Sequence, residues 1–290
     1  MLESMINPKR MEKGPWKMLF IGLLYGSLSL LLVHWFFSPD PALGDASGIM
    51  VVLFCIMFTL PFMFFITKTE EKEDEEVEGL MHVWKAHKDA IYALMWLFVG
   101  FIIAFSFWNI VLQDANLLNF QLETYCSINS PGHIEQCVQH YSPNVSSNTA
   151  ENIATGAASK GGRFLSIIEN NIYVLIFTLI FSLIFGAGAI FILIWNASVI
   201  SAAVGVFTNY QIKEIPLGIA RYMIHGIPEI ASYFIAALAG GIFGIGILRN
   251  GFKSKKSLRV IENSMIMVFI ALVVLIVAAL IEVYITPGLF

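Results

Sequence analysis

Arg221, His225 and Glu229 are the residues best placed to do chemistry in this chain. They recur at i, i+4 and i+8 in the run Arg-Tyr-Met-Ile-His-Gly-Ile-Pro-Glu, at the start of an apolar stretch over 215–248. On a helix these positions fall close to one face. Three chemistries fit them. Glu229 as a proton or cation carrier, His225 titrating beside it near neutral pH and Arg221 as a gate would form a transport path, since ionisable groups inside a membrane often mark one. His225 and Glu229 would also supply two ligands to a metal, where catalytic zinc takes three from protein. His34, Asn196 and Glu282 are distant candidates for the third, with no spacing that selects among them. The remaining reading is structural: Arg221 reaches the outer interface, and His225 and Glu229 tie their helix to Asn196 or another polar group. The intramembrane polar core would then be Arg221, His225, Gly226, Glu229 and Asn196.

Other chemistry is not written in the chain. There is no His-Glu-x-x-His pair, no Walker A loop, no dinucleotide fingerprint and no serine elbow. The sequence therefore does not read as an enzyme and no cofactor is expected. An intramembrane metal-dependent enzyme is the third functional reading, after a scaffold and a small transporter. Basic clusters flank apolar spans, which argues against a nucleic-acid partner.

The elements that must hold these residues are membrane spans. The 290 residues are 57% hydrophobic and 13% charged, where a soluble domain is about 25% charged. Several apolar runs reach the ~20 residues that cross a ~30 Å hydrocarbon core. The first, at 18–37, is long enough to span and lacks a small-residue cleavage site, so it reads as a retained helix. The pattern predicts an all-α polytopic bundle of about seven spans: 18–37, 48–66, 90–112, 172–194, 197–209, 216–248 and 264–283. Lys9, Arg10, Lys13 and Lys17, and the basic loop 249–259, belong inside by the positive-inside rule. That puts the N-terminus in and the C-terminus out. It also requires two crossings between 170 and 209, with short or broken helices around spans 5 and 6. A half-helix hairpin is the alternative there, and Pro228 predicts a kink in span 6.

Residues 113–169 form the sizeable exterior loop. It holds Cys126 and Cys137, expected as a disulfide or, with His133 and His140 nearby, a metal pair. Asn144 opens an Asn-Val-Ser glycosylation sequon. The acidic run 68–78, followed by Trp84, Lys85, His87 and Lys88, reads as a solvated connector with helical character. Gly240 and Gly244, with Gly186 and Gly188, offer flat surfaces for close helix packing, either within the chain or at a homodimer seam.

The order of these signals resembles the stage II sporulation protein M family. It is carried by Asn170-Asn171 before a span, Asn196-Ala197 after it, and His225-Gly226-x-x-Glu229 opening a glycine-rich span, over roughly 90–290. Ala197 stands where the family often has Gly, and Ile224 where it often has Pro. On this reading 90–290 is a five-span domain including the loop 113–169, and 1–89 is a two-span extension with an acidic cytoplasmic loop. Members occur outside spore formers, archaea included, and this chain looks like a non-sporulation, archaeal-type member. In spore formers the family member is a scaffold that recruits peptidoglycan-remodelling enzymes during engulfment. The resemblance implies a plasma-membrane scaffold or assembly factor. Its expected partners are membrane lipids, unidentified membrane or envelope proteins, and a second copy of itself.

Overall fold

The computed structural model describes residues 14–74, 77, 79–130, 132–143, 160–185, 189–251 and 254–289. Among them are nine α-helices and no strand. They are α1 (Met18–Phe36), α2 (Ser47–Asp74), α3 (Leu80–Leu112), α4 (Asn119–Asn129), α5 (Ile134–Tyr141), α6 (Lys160–Phe185), α7 (Ile190–Phe207), α8 (Ile215–Asn250) and α9 (Lys255–Leu280). Seven of them, all but α4 and α5, are long and apolar enough to cross a membrane. The chain is a multi-pass membrane protein. One end of the bundle carries the acidic and basic segments, and the other carries α4 and α5 as a cap.

Two of the expected boundaries move. The fourth and fifth spans part after Phe185, not after 194, and α6 begins at Lys160, inside the expected loop. The fifth helix is therefore no half-helix: α7 has 18 residues, about 27 Å at 1.5 Å per residue. The alanine- and valine-rich run across Asn196-Ala197 carries no breaker, so the helix continues through it. Likewise α8 runs unbroken through Pro228 for 36 residues. It ends at Gly251, whose φ of +69° suits glycine. The next helix starts on Ser254, whose hydroxyl accepts from the Ser257 N–H at 3.0 Å.

In a bilayer, apolar burial does not drive helices together, so close packing and interhelical hydrogen bonds must. The central pair is α3 and α8, which bury 67% and 72% of their apolar windows, against 28% for α1 and 22% for α6. Phe98 and Phe234 join them edge to face at 6.1 Å. Glycine sets the next contacts. A Cβ on Gly240 would stand 2.5 Å from the Leu179 carbonyl of α6, and one on Gly244 would strike the Leu183 carbonyl. Gly240 and Gly244 thus pack within the chain, against α6. Gly22 and Gly100 bring α1 and α3 together in the same way. Ser182 donates to the Ala237 carbonyl across α6 and α8. Gly186 and Gly188 lie outside the described residues, as does Asn144.

At the cap end Cys126 of α4 and Cys137 of α5 form a disulfide, with Cα atoms 5.8 Å apart; they are not a metal pair. The cap is seated by Gln121 donating to the Gly48 carbonyl at 2.9 Å and Tyr210 donating to the Tyr141 carbonyl at 3.0 Å. Burial raises the Tyr210 phenol above its ordinary range, so it stays a donor at any physiological pH. His34 Nδ1 and the Ser38 hydroxyl both meet Asp114 Oδ2, at 2.8 and 2.6 Å, which fixes the C-terminal end of α1 to the start of the cap.

Candidate functional site

Helical spacing does put Arg221, His225 and Glu229 along one side of α8, but each engages a different neighbour. The Arg221 guanidinium lies 4.7 Å over the Phe207 ring at the end of α7, a cation–π contact. His225 Nδ1 meets the Thr286 hydroxyl at 3.4 Å. Glu229 Oε1 accepts from the Tyr233 hydroxyl at 3.0 Å, and the Asn171 side chain of α6 lies beside its carboxylate. The three do not form a ladder among themselves. They fasten α8 to α7, to the end of the last span and to α6.

The last span contributes through a change of pitch. After Leu280, α9 widens into a π-helical turn, Ile281–Ile285. Such turns insert a residue and re-aim the side chains beyond them. This one brings Glu282 within electrostatic range of Glu229 and sets Thr286 against His225. Since Thr286 gives its proton to the Ile281 carbonyl at 3.2 Å, it faces His225 as an acceptor. Glu282 is in turn within range of Arg163. Gly226 is buried, yet a Cβ there would meet only Met223 Sδ, at 4.0 Å; packing does not demand glycine at this position.

Asn196 is not brought to this face. Its amide donates to the Ile192 carbonyl of its own helix at 2.7 Å. The side chain lines a lateral groove of about 400 Å³ between α6 and α7, together with Asn170, Phe177, Phe181 and Trp195. The polar group that does reach Glu229 is Asn171, one residue after Asn170. The Asn170-Asn171 pair thus divides between the groove and the polar face.

A second polar cluster, at the charged end, was not expected. The acidic run is not a solvated connector over its first half. It extends α2 to Asp74, and Glu70, Glu71 and Asp74 point inward, with Glu71 and Asp74 fully buried. His87 of α3, 1% exposed, lies between two of them: Nδ1 is 2.7 Å from Glu70 Oε2 and Nε2 is 3.0 Å from Asp74 Oδ1. Carboxylates only accept, so a ring held at both nitrogens is an imidazolium donating twice. Arg249, from the end of α8, donates to Glu71 Oε2 at 2.8 Å. Asn263 of α9 donates to the carbonyls of Val77 and Asp74, at 2.9 and 3.2 Å, capping the end of α2. Four helices are joined here. The ring nitrogens point to opposite carboxylates rather than to one centre, and no metal-holding group of His, Cys, Asp and Glu occurs among the described residues.

The family model described as SpoIIM, Stage II sporulation protein M, matches residues 50–287. It begins within α2 and includes the cap and both polar clusters. No curated protein and no solved structure matches the chain.

Proposed function

The chain belongs to the stage II sporulation protein M family, and from that premise we propose that it is a scaffold or assembly factor of the plasma membrane, organising envelope proteins by binding their transmembrane segments. The observation that carries this reading is the position of Asn196. A carboxamide inside a membrane is costly to leave without partners and serves as interhelical glue. Here it opens onto a lateral groove of about 400 Å³ walled by aromatic side chains. Its amide donates to the Ile192 carbonyl of its own helix, and a partner helix carrying a serine, threonine or asparagine side chain would donate to its side-chain oxygen. The Arg221–His225–Glu229 face, spent on fastening α8 to its neighbours, then acts as the brace that keeps α6 and α7 in place.

The test is quantitative co-purification of membrane proteins with the tagged chain from its own host. Asn196→Leu and Val199→Trp, which alter the groove, should lower the co-purified set by about tenfold, the ratio for 1.4 kcal/mol, with chain abundance unchanged. The same set at the same level in both variants would overturn the reading.

One observation favours a second reading, a small proton- or cation-coupled transporter. Glu229 and Glu282 are two carboxylates near one another inside the bundle. Proteoliposomes carrying the wild-type chain would then show a flux that Glu229→Gln abolishes.

A further inference from the structure

Asn109 stands apart from the other buried amides. It lies in the last turn of α3, is 3% exposed, and its side chain makes no hydrogen bond among the described residues. Asn116, Asn119, Gln121, Asn196 and Asn263 each donate to a backbone carbonyl. A buried polar side chain without a partner costs free energy, and an ordered water is a common way of satisfying it.

Asn109 lines a small cavity under the cap, together with Asp114, Leu118, Leu122, Ala202 and Tyr210 among others. The cavity offers about 10 Å³ to the centre of a water-sized sphere, which is close to what one buried water requires. Its apolar walls are closed: Leu118 and Leu122 are 4% exposed and Ala202 is 2% exposed. The polar side chains converge. A Cβ on Gly205 of α7 would stand 2.8 Å from Asn109 Nδ2 and 3.4 Å from Tyr210 Cζ, so glycine there leaves room for both.

The three polar residues offer complementary chemistry. Asn109 Nδ2 only donates. The Tyr210 hydroxyl gives its proton to the Tyr141 carbonyl and can still accept. Asp114 only accepts, and its Oδ1 takes a bond from the Asn116 N–H at 3.0 Å with a further lone pair to use. The occupant must therefore accept one hydrogen bond and donate two. A water has that complement, whereas a cation would face the amide protons of Asn109.

We propose that this cavity binds one ordered water, which accepts from Asn109 Nδ2 and donates to the Tyr210 hydroxyl and to Asp114. Three hydrogen bonds are usual for a buried water. The water joins the end of α3, the turn after α7 and the start of the cap. Asp114 also meets His34 and Ser38, so the network extends to α1.

The test is hydroxyl-radical footprinting of the purified full chain in detergent, with rapid mixing into heavy-oxygen water before irradiation. Radicals form at bound waters, so a buried side chain is oxidised where one stands against it. Leu118 or Leu122 should be oxidised in the wild type, and the incorporated oxygen should exchange more slowly than that at Ile128, which is 63% exposed. Asn109→Leu removes the donor and fills the space, and should lose this label. Ala202→Val narrows the cavity with Asn109 in place, and should lose it too. An intact Cys126–Cys137 bond and an unchanged elution profile show that each variant is folded. Unlabelled Leu118 and Leu122 in the wild type, exchange as fast as at Ile128, or a label kept in either folded variant would overturn the proposal.

Discussion

His87 Nδ1 stands 2.7 Å from Glu70 Oε2, joining two helices whose partners are 17 residues apart in the chain, with the ring 1% exposed. With Nε2 on Asp74, the imidazolium neutralises two carboxylates at once. Replacing it leaves both buried and unpaired. His87→Leu should therefore destabilise the bundle by about 3–5 kcal/mol, the cost of removing one partner from a buried ion pair. The midpoint of denaturation in a fixed detergent measures this. A loss under ~1 kcal/mol, the range of exposed pairs, would show that the cluster is wet.

The neighbouring pair gives a sharper contrast. Glu71 is fully buried while Arg249 is 40% exposed, so the pair is partly screened. Arg249→Gln should cost about 1–3 kcal/mol, because it removes a charged donor from the buried Glu71. The double variant Glu71→Gln with Arg249→Gln should be less damaging than the two single losses summed, by at least ~0.5 kcal/mol. Strict additivity in this double-mutant cycle would mean the two side chains do not act on each other.

Cap stability rests on the disulfide between residues separated by 11 positions. Cys126→Ser should loosen α4 and α5 by about 3 kcal/mol, the loss for a short closed loop, and leave the spans in place. Limited proteolysis would read this as faster cutting between 119 and 143 only. Uniform acceleration across the chain would place the cap within the cooperative core.

Gly244 faces the Leu183 carbonyl with no room for a side chain. Gly244→Leu should separate α6 from α8 and lower stability by about 1–3 kcal/mol or more, as overpacking does. An equally stable variant would mean that α6 sits elsewhere in the membrane.

Much of this architecture could be read from the residues. Apolar runs and basic flanks gave seven spans, and the two loop cysteines gave the disulfide. The boundary after Phe185 was missed because hydropathy does not fall there; the sequence stays apolar from Phe185 to Ile190. Asn196 was assigned to the wrong neighbour because spacing along one helix says nothing about which helix faces it. The cluster at His87 was missed for a different reason. Acidic residues were counted as solvated by type, although Glu70 and Asp74 continue the spacing of Val52, Cys55, Thr59, Met63 and Ile66 along the buried side of α2. That period of three and four residues was visible in the sequence and outweighed composition. The π-helical turn before Thr286 left no such trace in the residue pattern.

The central claim is that Asn196 opens onto a surface where another protein's helix docks. A photo-reactive residue at Val199, on the groove, should form a discrete protein–protein adduct in native membranes. The same residue at Phe269, on the exposed side of α9, should not. Lipid adducts alone at both positions would contradict the account.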